Sequence, residues 1–210
     1  MIRYIFFDFN GTILDDVALC LKLLNQMLRR QHKKELTLEE YKNVFTFPVK
    51  TYYERAGLDF SIDSFECLAE EFITQYQPAS MRCGLYEGLT DTLSYLKEKG
   101  YHLVILSASE IHNLLEQCRH YKLLPYFDAI LGIDNIHASG KMDIAADYLH
   151  QQGICGEEVL LVGDTLHDLE VANGLKASCM LVSCGHQSKE VLSKGKVRLL
   201  PSVWALKEIF

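Results

Sequence analysis

The sequence lacks the long apolar segment of a membrane-spanning helix and the cysteine spacing of a zinc or disulfide framework. No stretch approaches the ~20 apolar residues that a helix needs to cross a bilayer. The N-terminal apolar run is interrupted at Asp8 and has no secretory cleavage pattern. The seven cysteines form no C-x-x-C pair. This odd set favours reduced thiols packed as small apolar residues, so we expect a cytoplasmic protein.

An excess of positive charge is also lacking. The chain has 21 Lys and Arg against 28 Asp and Glu, for a formal net charge of −7. An acidic surface repels nucleic-acid phosphates, so we expect neither a nucleic-acid partner nor a membrane. A small phosphorylated metabolite is still compatible with the composition, because a local site can be positive. Nothing in the sequence indicates the oligomeric state.

What the sequence does contain is typical of a globular protein. Its 210 residues are 49 % hydrophobic and 23 % charged, which suits one domain or one domain with an insert. Apolar runs at 2–8, 102–106, 129–131, 159–162 and 179–182 predict strands, and helical periodicity separates the later runs. Uninterrupted apolar strands that alternate with helices predict an α/β fold, a doubly wound parallel sheet.

One long segment departs from this alternation. Residues 16–82 show helical spacing throughout, with a capping-box pattern at Thr37 and Glu40. The segment falls between the first predicted strand and the others. We therefore predict a helical domain of residues 16–82, inserted into a core formed by residues 1–15 and 83–210.

Charged and hydroxyl side chains stand at successive strand ends. Asp8 ends the first strand, Ser107 the second and Asp164 the fourth, while Lys141 follows the third and Asp168 lies one turn beyond Asp164. Ligands of a doubly wound sheet bind beyond the carboxyl ends of its strands, so we expect these side chains to share one site. Taken singly, Ser107 and Asp168 could be helix-capping residues and Lys141 a solvated lysine. Their joint order favours the site.

Four motifs carry a resemblance to a known family. They are Asp8-Phe9-Asn10-Gly11-Thr12, Leu106-Ser107-Ala108-Ser109, Lys141, and Gly163-Asp164-Thr165-Leu166-His167-Asp168. With this combination the chain resembles the haloacid-dehalogenase-like (HAD) hydrolase superfamily, in the branch of phosphoglycolate phosphatase and β-phosphoglucomutase. The resemblance covers essentially the whole chain and implies a Rossmann-like core with a helical cap domain.

The resemblance also implies a Mg²⁺-dependent phosphatase of a small phosphomonoester, similar to phosphoglycolate phosphatase. Asp8 would be the nucleophile that forms an aspartyl-phosphate, and Lys141 would neutralise charge. The implied Mg²⁺ ligands are Asp8, the backbone carbonyl of Asn10 and Asp164, with Asp168 in support. The implied phosphate-binding residues are Thr12, Ser107, Ala108 and Lys141.

The first motif departs from the family pattern at Asn10, where phosphatases carry a second aspartate as general acid and base. An amide cannot exchange a proton in this way near pH 7, and such catalysis typically contributes ~10²–10⁴-fold. Three interpretations follow: hydrolysis of esters with good leaving groups, replacement of the acid by His167 or Glu110, or phospho-ligand binding or regulation with little turnover. Asn10-Gly11 is also a deamidation-prone pair, and conversion to aspartate would restore the acid.

The helical insert offers few candidate residues. Lys50 and Thr51 are candidates for contact with the substrate. In a phosphonatase-like enzyme, Lys50 would form a Schiff base with the substrate. A solvated helix residue is the preferred interpretation of Lys50. The aromatic residues between 45 and 60 are interpreted as the core of the insert. The histidines other than His167, His186 among them, show no metal-ligand spacing and are interpreted as surface or satisfied core residues.

Overall fold

The computed structural model describes residues 1–133 and 140–210. Its strands are β1 (Tyr4–Phe7), β2 (Leu14–Asp15), β3 (Gly84–Leu85), β4 (His102–Glu110), β5 (Ala129–Ile133), β6 (Val159–Gly163), β7 (Ser178–Val182) and β8 (Arg198–Leu200). Its helices are α1 (Val17–Arg30), α2 (Leu38–Val44), α3 (Val49–Ala56), α4 (Phe65–Ser80), α5 (Leu89–Glu98), α6 (Ile111–His120), α7 (Lys141–Gln152), α8 (Leu166–Gly174) and α9 (Lys189–Leu192). Short 3-10 turns lie at Leu124–Tyr126, Gly156–Glu158, Ser193–Gly195 and Val203–Glu208.

A six-stranded parallel sheet forms the centre of the fold. Its strand order is β5-β4-β1-β6-β7-β8, so the chain extends the sheet first on one side of β1 and then on the other. This reversal places a crevice at the carboxyl end of β1, where doubly wound sheets bind ligands. The predicted α/β fold class is confirmed.

Apolar layers cover both faces of the sheet. Successive strand residues point to opposite faces, so Phe6 and Phe7 of β1 enter different layers although both are fully buried. Leu161 of β6 joins the layer of Phe6, and Val162 joins that of Phe7. Burial on both faces explains why the strands read as uninterrupted apolar runs.

Helices α1–α4 form a helical block with an apolar cluster of its own, which includes Leu24, Tyr41 and Leu68. The chain enters this block through β2 and leaves it through β3. These two strands pair antiparallel, with Leu14 opposite Leu85. The separate cluster and the paired connections support the division into a core and an insert, which stays a prediction. Within the described residues, no helix is both long and apolar enough to cross a membrane.

Two predicted helix caps are present. The Thr37 hydroxyl accepts a hydrogen bond from the Glu40 backbone N–H at 3.2 Å, and the Glu40 carboxylate accepts one from the Thr37 N–H at 2.8 Å. Thr165 and Asp168 form the same capping arrangement at the start of α8. Both helices therefore begin where the local sequence predicts.

The alternative interpretation of Ser107 as a helix-capping residue is wrong. Strand β4 continues past Leu106 to Glu110 through a register shift. The Glu110 carboxylate caps α6 instead, accepting hydrogen bonds from the backbone N–H groups of His112 and Asn113 at 2.9 Å each. Ser107 is the last residue of the buried run of β4, and the next helix begins only at Ile111.

Candidate active site

A cavity of about 370 Å³ lies between the carboxyl ends of the central strands and the helical block. The strand-end residues predicted to share one site all line it: Asp8, Ser107, Lys141, Asp164 and Asp168. The structure therefore brings these residues together from four separate segments of the chain. Ala108 lines the same cavity.

Lys141, the first residue of α7, lies between two carboxylates. Its Nζ is 2.8 Å from Asp8 Oδ1 and 2.5 Å from Asp168 Oδ1, and its side chain is 3 % exposed. Burial alone would lower the pKa of Lys141, but the two carboxylates raise it above its ordinary value. Lys141 is therefore a buried, charged lysine, and its interpretation as a solvated residue is wrong.

Asp168 uses both of its oxygens within the protein. Oδ1 accepts from Lys141, while Oδ2 accepts from the Thr165 backbone N–H at 3.0 Å and from the Thr165 hydroxyl at 2.8 Å. Burial pushes the pKa of Asp168 upward, but the charge of Lys141 and these hydrogen bonds leave it below its ordinary value. Asp168 is thus an ionised carboxylate that fixes the position of Lys141.

Asp164 lies at the end of β6 in a more repulsive environment. Its oxygens accept hydrogen bonds from the Thr12 hydroxyl at 3.3 Å and from the His186 backbone N–H at 2.6 Å. Burial, with the negative charges of Asp8 and Asp168, raises the pKa of Asp164 to about 8, although His186 opposes the shift. Burial also raises the pKa of Asp8, against the effect of Lys141. Two carboxylates of this group therefore resist ionisation.

The carboxylate group fits a divalent cation. The oxygens of Asp8, Asp164 and Asp168 lie within 4.8 Å of one another. Lys141 pairs with Asp8 and Asp168 only, and a cation would relieve the mutual repulsion of the three carboxylates. Hard oxygen ligands of this kind suit Mg²⁺. The residues present therefore fit the metal that the sequence resemblance implies.

Gly11 allows the loop after β1 to approach this carboxylate group closely. Its φ is +70°, and a Cβ there would lie 2.3 Å from Asp164 Oδ2 and 2.5 Å from the ring of His186. A larger residue would be strained in this conformation and would displace the Asp164 carboxylate. The glycine of the first motif therefore lets the loop that carries Asn10 pack directly on the site.

The side chain of Asn10 is fixed by three hydrogen bonds. Its Nδ2 donates to Asp16 Oδ2 at 2.9 Å and to the Tyr76 hydroxyl at 2.5 Å. Its Oδ1 accepts from the Ser109 hydroxyl at 3.1 Å. Both polar atoms of the amide are therefore engaged with other side chains.

Asp16 is the centre of a second buried polar group. Its carboxylate accepts hydrogen bonds from the Gly11 backbone N–H at 3.0 Å and the Tyr76 hydroxyl at 2.6 Å, and it lies 3.2 Å from His186 Nε2. The Cys20 thiol is 3.7 Å away. Burial would raise the pKa of Asp16, but His186 and the hydrogen bonds leave it below its ordinary value. Asp16 is an ionised carboxylate surrounded by donors.

His186, in the loop after β7, connects the two polar groups to the helical block. Its Nδ1 lies 2.7 Å from the Tyr41 hydroxyl, and its ring stacks on Phe45 with centroids 4.7 Å apart. A surface or satisfied core histidine was expected, and its place in the site was missed. His186 is separated from the end of β7 by Ser183, Cys184 and Gly185, so it does not directly follow a predicted strand as Asp8 does.

The two candidate replacements for the missing acid both line the cavity, and neither contacts Asn10 in the hydrogen bonds described. Glu110 is occupied in capping α6. The ring of His167 packs on Phe47 with centroids 4.8 Å apart, and its Nδ1 lies 3.4 Å from the Glu170 carboxylate. Of the two, His167 has no role in capping a helix.

The structure does not bring the proposed cap residues into the cavity. Lys50 is exposed, with its Nζ 5.7 Å from the centre of the Phe60 ring, and neither Lys50 nor Thr51 lines the cavity. Two aromatic residues of the segment 45–60 have a role beyond the predicted core of the insert. Tyr52 and Tyr53 belong to the core of the helical block and also line the cavity. The block's core is therefore continuous with the cavity wall.

Comparisons with known proteins show what the chain is similar to. The family model described as haloacid dehalogenase-like hydrolase matches residues 5–182. The chain is 26% identical over 192 residues to a phosphoglycolate phosphatase of Pseudomonas fluorescens, covering 88% of this chain and 70% of the relative. It is 26% identical over 201 residues to a 5'-nucleotidase of Pseudomonas aeruginosa, covering 91% and 88%.

Solved structures show the same fold. A predicted phosphatase from Clostridium acetobutylicum superposes with a TM-score of 0.83 at 24% identity, covering 100% of this chain and 98% of that one. CbbY from Rhodobacter sphaeroides, in complex with phosphate, superposes with a TM-score of 0.69 at 22% identity, covering 98% and 96%. At these identities the likeness establishes the architecture alone.

Proposed function

Because this chain belongs to the haloacid dehalogenase-like hydrolase family, we propose that it hydrolyses small phosphomonoesters through the carboxylate of Asp8. The observation that carries the proposal is the buried ion-pair arrangement of Lys141 with Asp8 and Asp168, at 2.8 and 2.5 Å, on the wall of a cavity. Relatives named phosphoglycolate phosphatase and 5'-nucleotidase support a phosphoric monoester as the substrate class.

The proposed reaction has two steps. An oxygen of Asp8 forms a bond to phosphorus while the ester P–O bond breaks, and the departing oxygen keeps the electron pair. Water then attacks the phosphorus, which frees the Asp8 carboxylate and releases inorganic phosphate. Lys141 stays protonated because its pKa is raised, and its charge offsets the negative charge of the phosphoryl group.

Mg²⁺ is the cofactor that we propose for this site. Its protein ligands would be Asp8, the backbone carbonyl of Asn10 and Asp164, with Asp168 in support. When bound, it would supply positive charge beside the phosphoryl group. Ser107 and Ala108 line the cavity and would contact the phosphate, whereas the Thr12 hydroxyl donates to Asp164 and would position that carboxylate.

Asn10 restricts the esters that can react. Its amide is neutral and engaged with Asp16, Tyr76 and Ser109, so it supplies no proton to the departing oxygen. Esters whose leaving group departs as a stable anion are therefore the expected substrates. The deamidation hypothesis gains no support, because the Gly11 N–H that would attack Asn10 is bonded to Leu14 and Asp16.

A second function, binding of a phosphorylated ligand with little turnover, is favoured by one observation. The fixed Asn10 amide occupies the position at which the family's phosphatases place their acid and base. A phosphonatase-like activity has no comparable support, because Lys50 lies outside the cavity lining. We therefore keep the enzyme as the first proposal and the phospho-ligand binder as the second.

The direct test compares wild type with Asp8→Asn on 4-nitrophenyl phosphate, with Mg²⁺ and after its removal by a chelator. We expect wild-type turnover that requires Mg²⁺, and a loss of roughly 10³-fold or more in Asp8→Asn. Asp15→Asn is the matched control, because Asp15 is exposed and belongs to β2. Its activity should equal that of wild type.

Two outcomes would reject this assignment. Undiminished turnover by Asp8→Asn would rule out Asp8 as the nucleophile. Wild type that binds inorganic phosphate in calorimetry but turns over no ester would establish the phospho-ligand binder instead.

A further inference from the structure

The cavity wall that the helical block provides is mainly apolar, although its tyrosines and Gln77 also reach the lining. The apolar part is built by side chains of α3, of α4 and of the loop before α3: Phe47, Val49, Phe65, Ala69, Phe72 and Ile73. Among the described residues, the block adds no lysine or arginine to the cavity lining. This wall can therefore contact a ligand through packing, but it offers no cation for a second anionic group.

The charges of the cavity are concentrated at its other end. Asp8, Asp164, Asp168 and Lys141 all lie at the strand ends. Lys141, the only lysine or arginine among the described lining residues, is already paired with two carboxylates at 2.8 and 2.5 Å. Glu110 adds a further acidic side chain to the lining. A carboxylate on the substrate body would find no unpaired lysine or arginine among the described lining residues to compensate its desolvation.

We propose that the preferred substrate is an aryl phosphate, the phosphomonoester of a phenol whose ring packs on this apolar wall. The inference rests on the proposed function, which makes Asp8 the phosphoryl acceptor. A cavity of about 370 Å³ has room for one or two fused rings beside a phosphoryl group. Aromatic faces such as Phe72 and Phe65 suit stacked or edge-on contacts with such a ring.

The leaving group gives independent support. When the P–O bond of an aryl phosphate breaks, the electron pair leaves on a phenolate, which is stabilised by its ring and needs no proton during the step. Asn10 supplies none, because its amide is held by Asp16, Tyr76 and Ser109. The apolar cavity wall and the absence of a general acid at Asn10 therefore both favour aryl phosphates as substrates. Phosphoglycolate, with its carboxylate and its poor alkoxide leaving group, is expected to be a weak substrate.

The test separates binding from turnover. Binding of 2-naphthyl phosphate, phenyl phosphate, acetyl phosphate and phosphoglycolate is measured by calorimetry on Asp8→Asn protein with Mg²⁺, and kcat/KM on wild type. We expect 2-naphthyl phosphate to bind about tenfold more tightly than phenyl phosphate, and roughly hundredfold more tightly than phosphoglycolate. Acetyl phosphate, which has a good leaving group but no ring, should bind at the level of phosphoglycolate. Equal binding of all four compounds, or tightest binding of phosphoglycolate, would overturn the inference.

A pair of matched variants locates the effect. Ile73 lines the cavity and is 55% exposed, whereas Ile62 is 56% exposed and lies outside the cavity lining. Ile73→Arg should shift the ratio of affinities for 2-naphthyl phosphate and phosphoglycolate by about tenfold toward phosphoglycolate. Ile62→Arg should leave the ratio unchanged. An unchanged ratio in Ile73→Arg would mean that the ring does not pack on this wall.

Failure of the inference differs from failure of the proposed function. If wild type hydrolyses phosphoglycolate faster than every aryl phosphate, the phosphatase is supported and the aryl substrate class is wrong. If no ester is hydrolysed but the aryl phosphates bind in the expected order, the enzyme proposal fails while the ligand class holds.

Discussion

Two clusters of buried polar side chains line the same cavity, and the charges of their carboxylates are compensated in different ways. The strand-end cluster consists of Asp8, Lys141, Asp164 and Asp168, and the Asp16 cluster of Asp16, Asn10, Tyr41, Tyr76 and His186. In the first, one lysine pairs with two carboxylates, and a third carboxylate lies close to them. In the second, one carboxylate is surrounded by donors. The first cluster is short of positive charge, whereas the carboxylate of the second cluster is matched by its donors.

The pKa values follow this difference. Burial raises the pKa of both Asp8 and Asp164 in the strand-end cluster. In the Asp16 cluster the opposite holds, because the charge of His186 and the hydrogen bonds from His186, Tyr76 and Asn10 together outweigh burial and leave the pKa of Asp16 below its ordinary value. A site that lacks positive charge is suited to take up a cation, and with that cation it can take up a phosphoryl group. A complete network is suited to holding side chains in one arrangement, and Asn10 belongs to this second kind.

The largest expected effect comes from removing the lysine of the strand-end cluster. Lys141→Met leaves the buried carboxylates of Asp8 and Asp168 without their partner, which should lower the free energy of unfolding by about 3–5 kcal/mol in the absence of metal. Mg²⁺ should restore part of this loss, because it binds only the folded carboxylate group. Urea unfolding with and without Mg²⁺ measures both effects.

Lys97→Met is the control for this variant, because the Lys97–Asp128 pair is a partly exposed ion pair whose loss should cost at most about 1 kcal/mol. Its stability should not respond to Mg²⁺ more than that of wild type. If Mg²⁺ stabilises Lys141→Met no more than wild type, the strand-end cluster is not the metal site.

The second-largest expected effect comes from the replacement of Asn10 by aspartate. Asn10→Asp places a second carboxylate beside Asp16 Oδ2, where the Asn10 amide now donates at 2.9 Å. We expect a loss of about 1–3 kcal/mol in the free energy of unfolding, because a donor is removed and two carboxylates repel. The double variant Asn10→Asp with Asp16→Asn should recover most of this loss, since it exchanges the amide and the carboxylate.

A double-mutant cycle, with Asp16→Asn as the second single variant, measures this coupling. Additive stability effects would show that Asn10 and Asp16 are energetically independent, contrary to the contacts.

The strand-end cluster could be predicted from the sequence because each member follows an apolar run. Asp8 and Asp164 directly end buried strands, and the parallel sheet brings such positions to one edge. The ion pairs of Lys141 could not be predicted in the same way, since they depend on how α7 approaches the sheet. The end of β4 was also missed, because its irregular stretch to Glu110 carries no apolar run.

The Asp16 cluster could not be predicted, and the reason is topological. Asn10 and Asp16 are near in sequence, but Tyr76 lies on α4, Tyr41 on α2 and His186 beyond β7. Their contacts depend on the position of the helical block over the sheet. The helical and strand periodicity of the sequence does not reveal that position. The histidines also lack the spacing of metal ligands, so the sequence does not single out His186. The sequence therefore predicts the chemistry of the strand ends better than the environment of Asn10.

The smallest expected effect tests whether the two clusters are separate. Tyr76→Phe removes the hydroxyl that donates to Asp16 Oδ2 at 2.6 Å and accepts from Asn10 Nδ2. Leaving one buried N–H without this partner should cost about 1–2 kcal/mol in the free energy of unfolding. Tyr53→Phe is the control, because Tyr53 also lines the cavity but its hydroxyl is not among the donors to Asp16. Since Tyr76 contacts Asp16 rather than the strand-end carboxylates, Mg²⁺ should stabilise Tyr76→Phe and wild type equally. A Mg²⁺-dependent recovery like that expected of Lys141→Met would mean that the clusters act as one network.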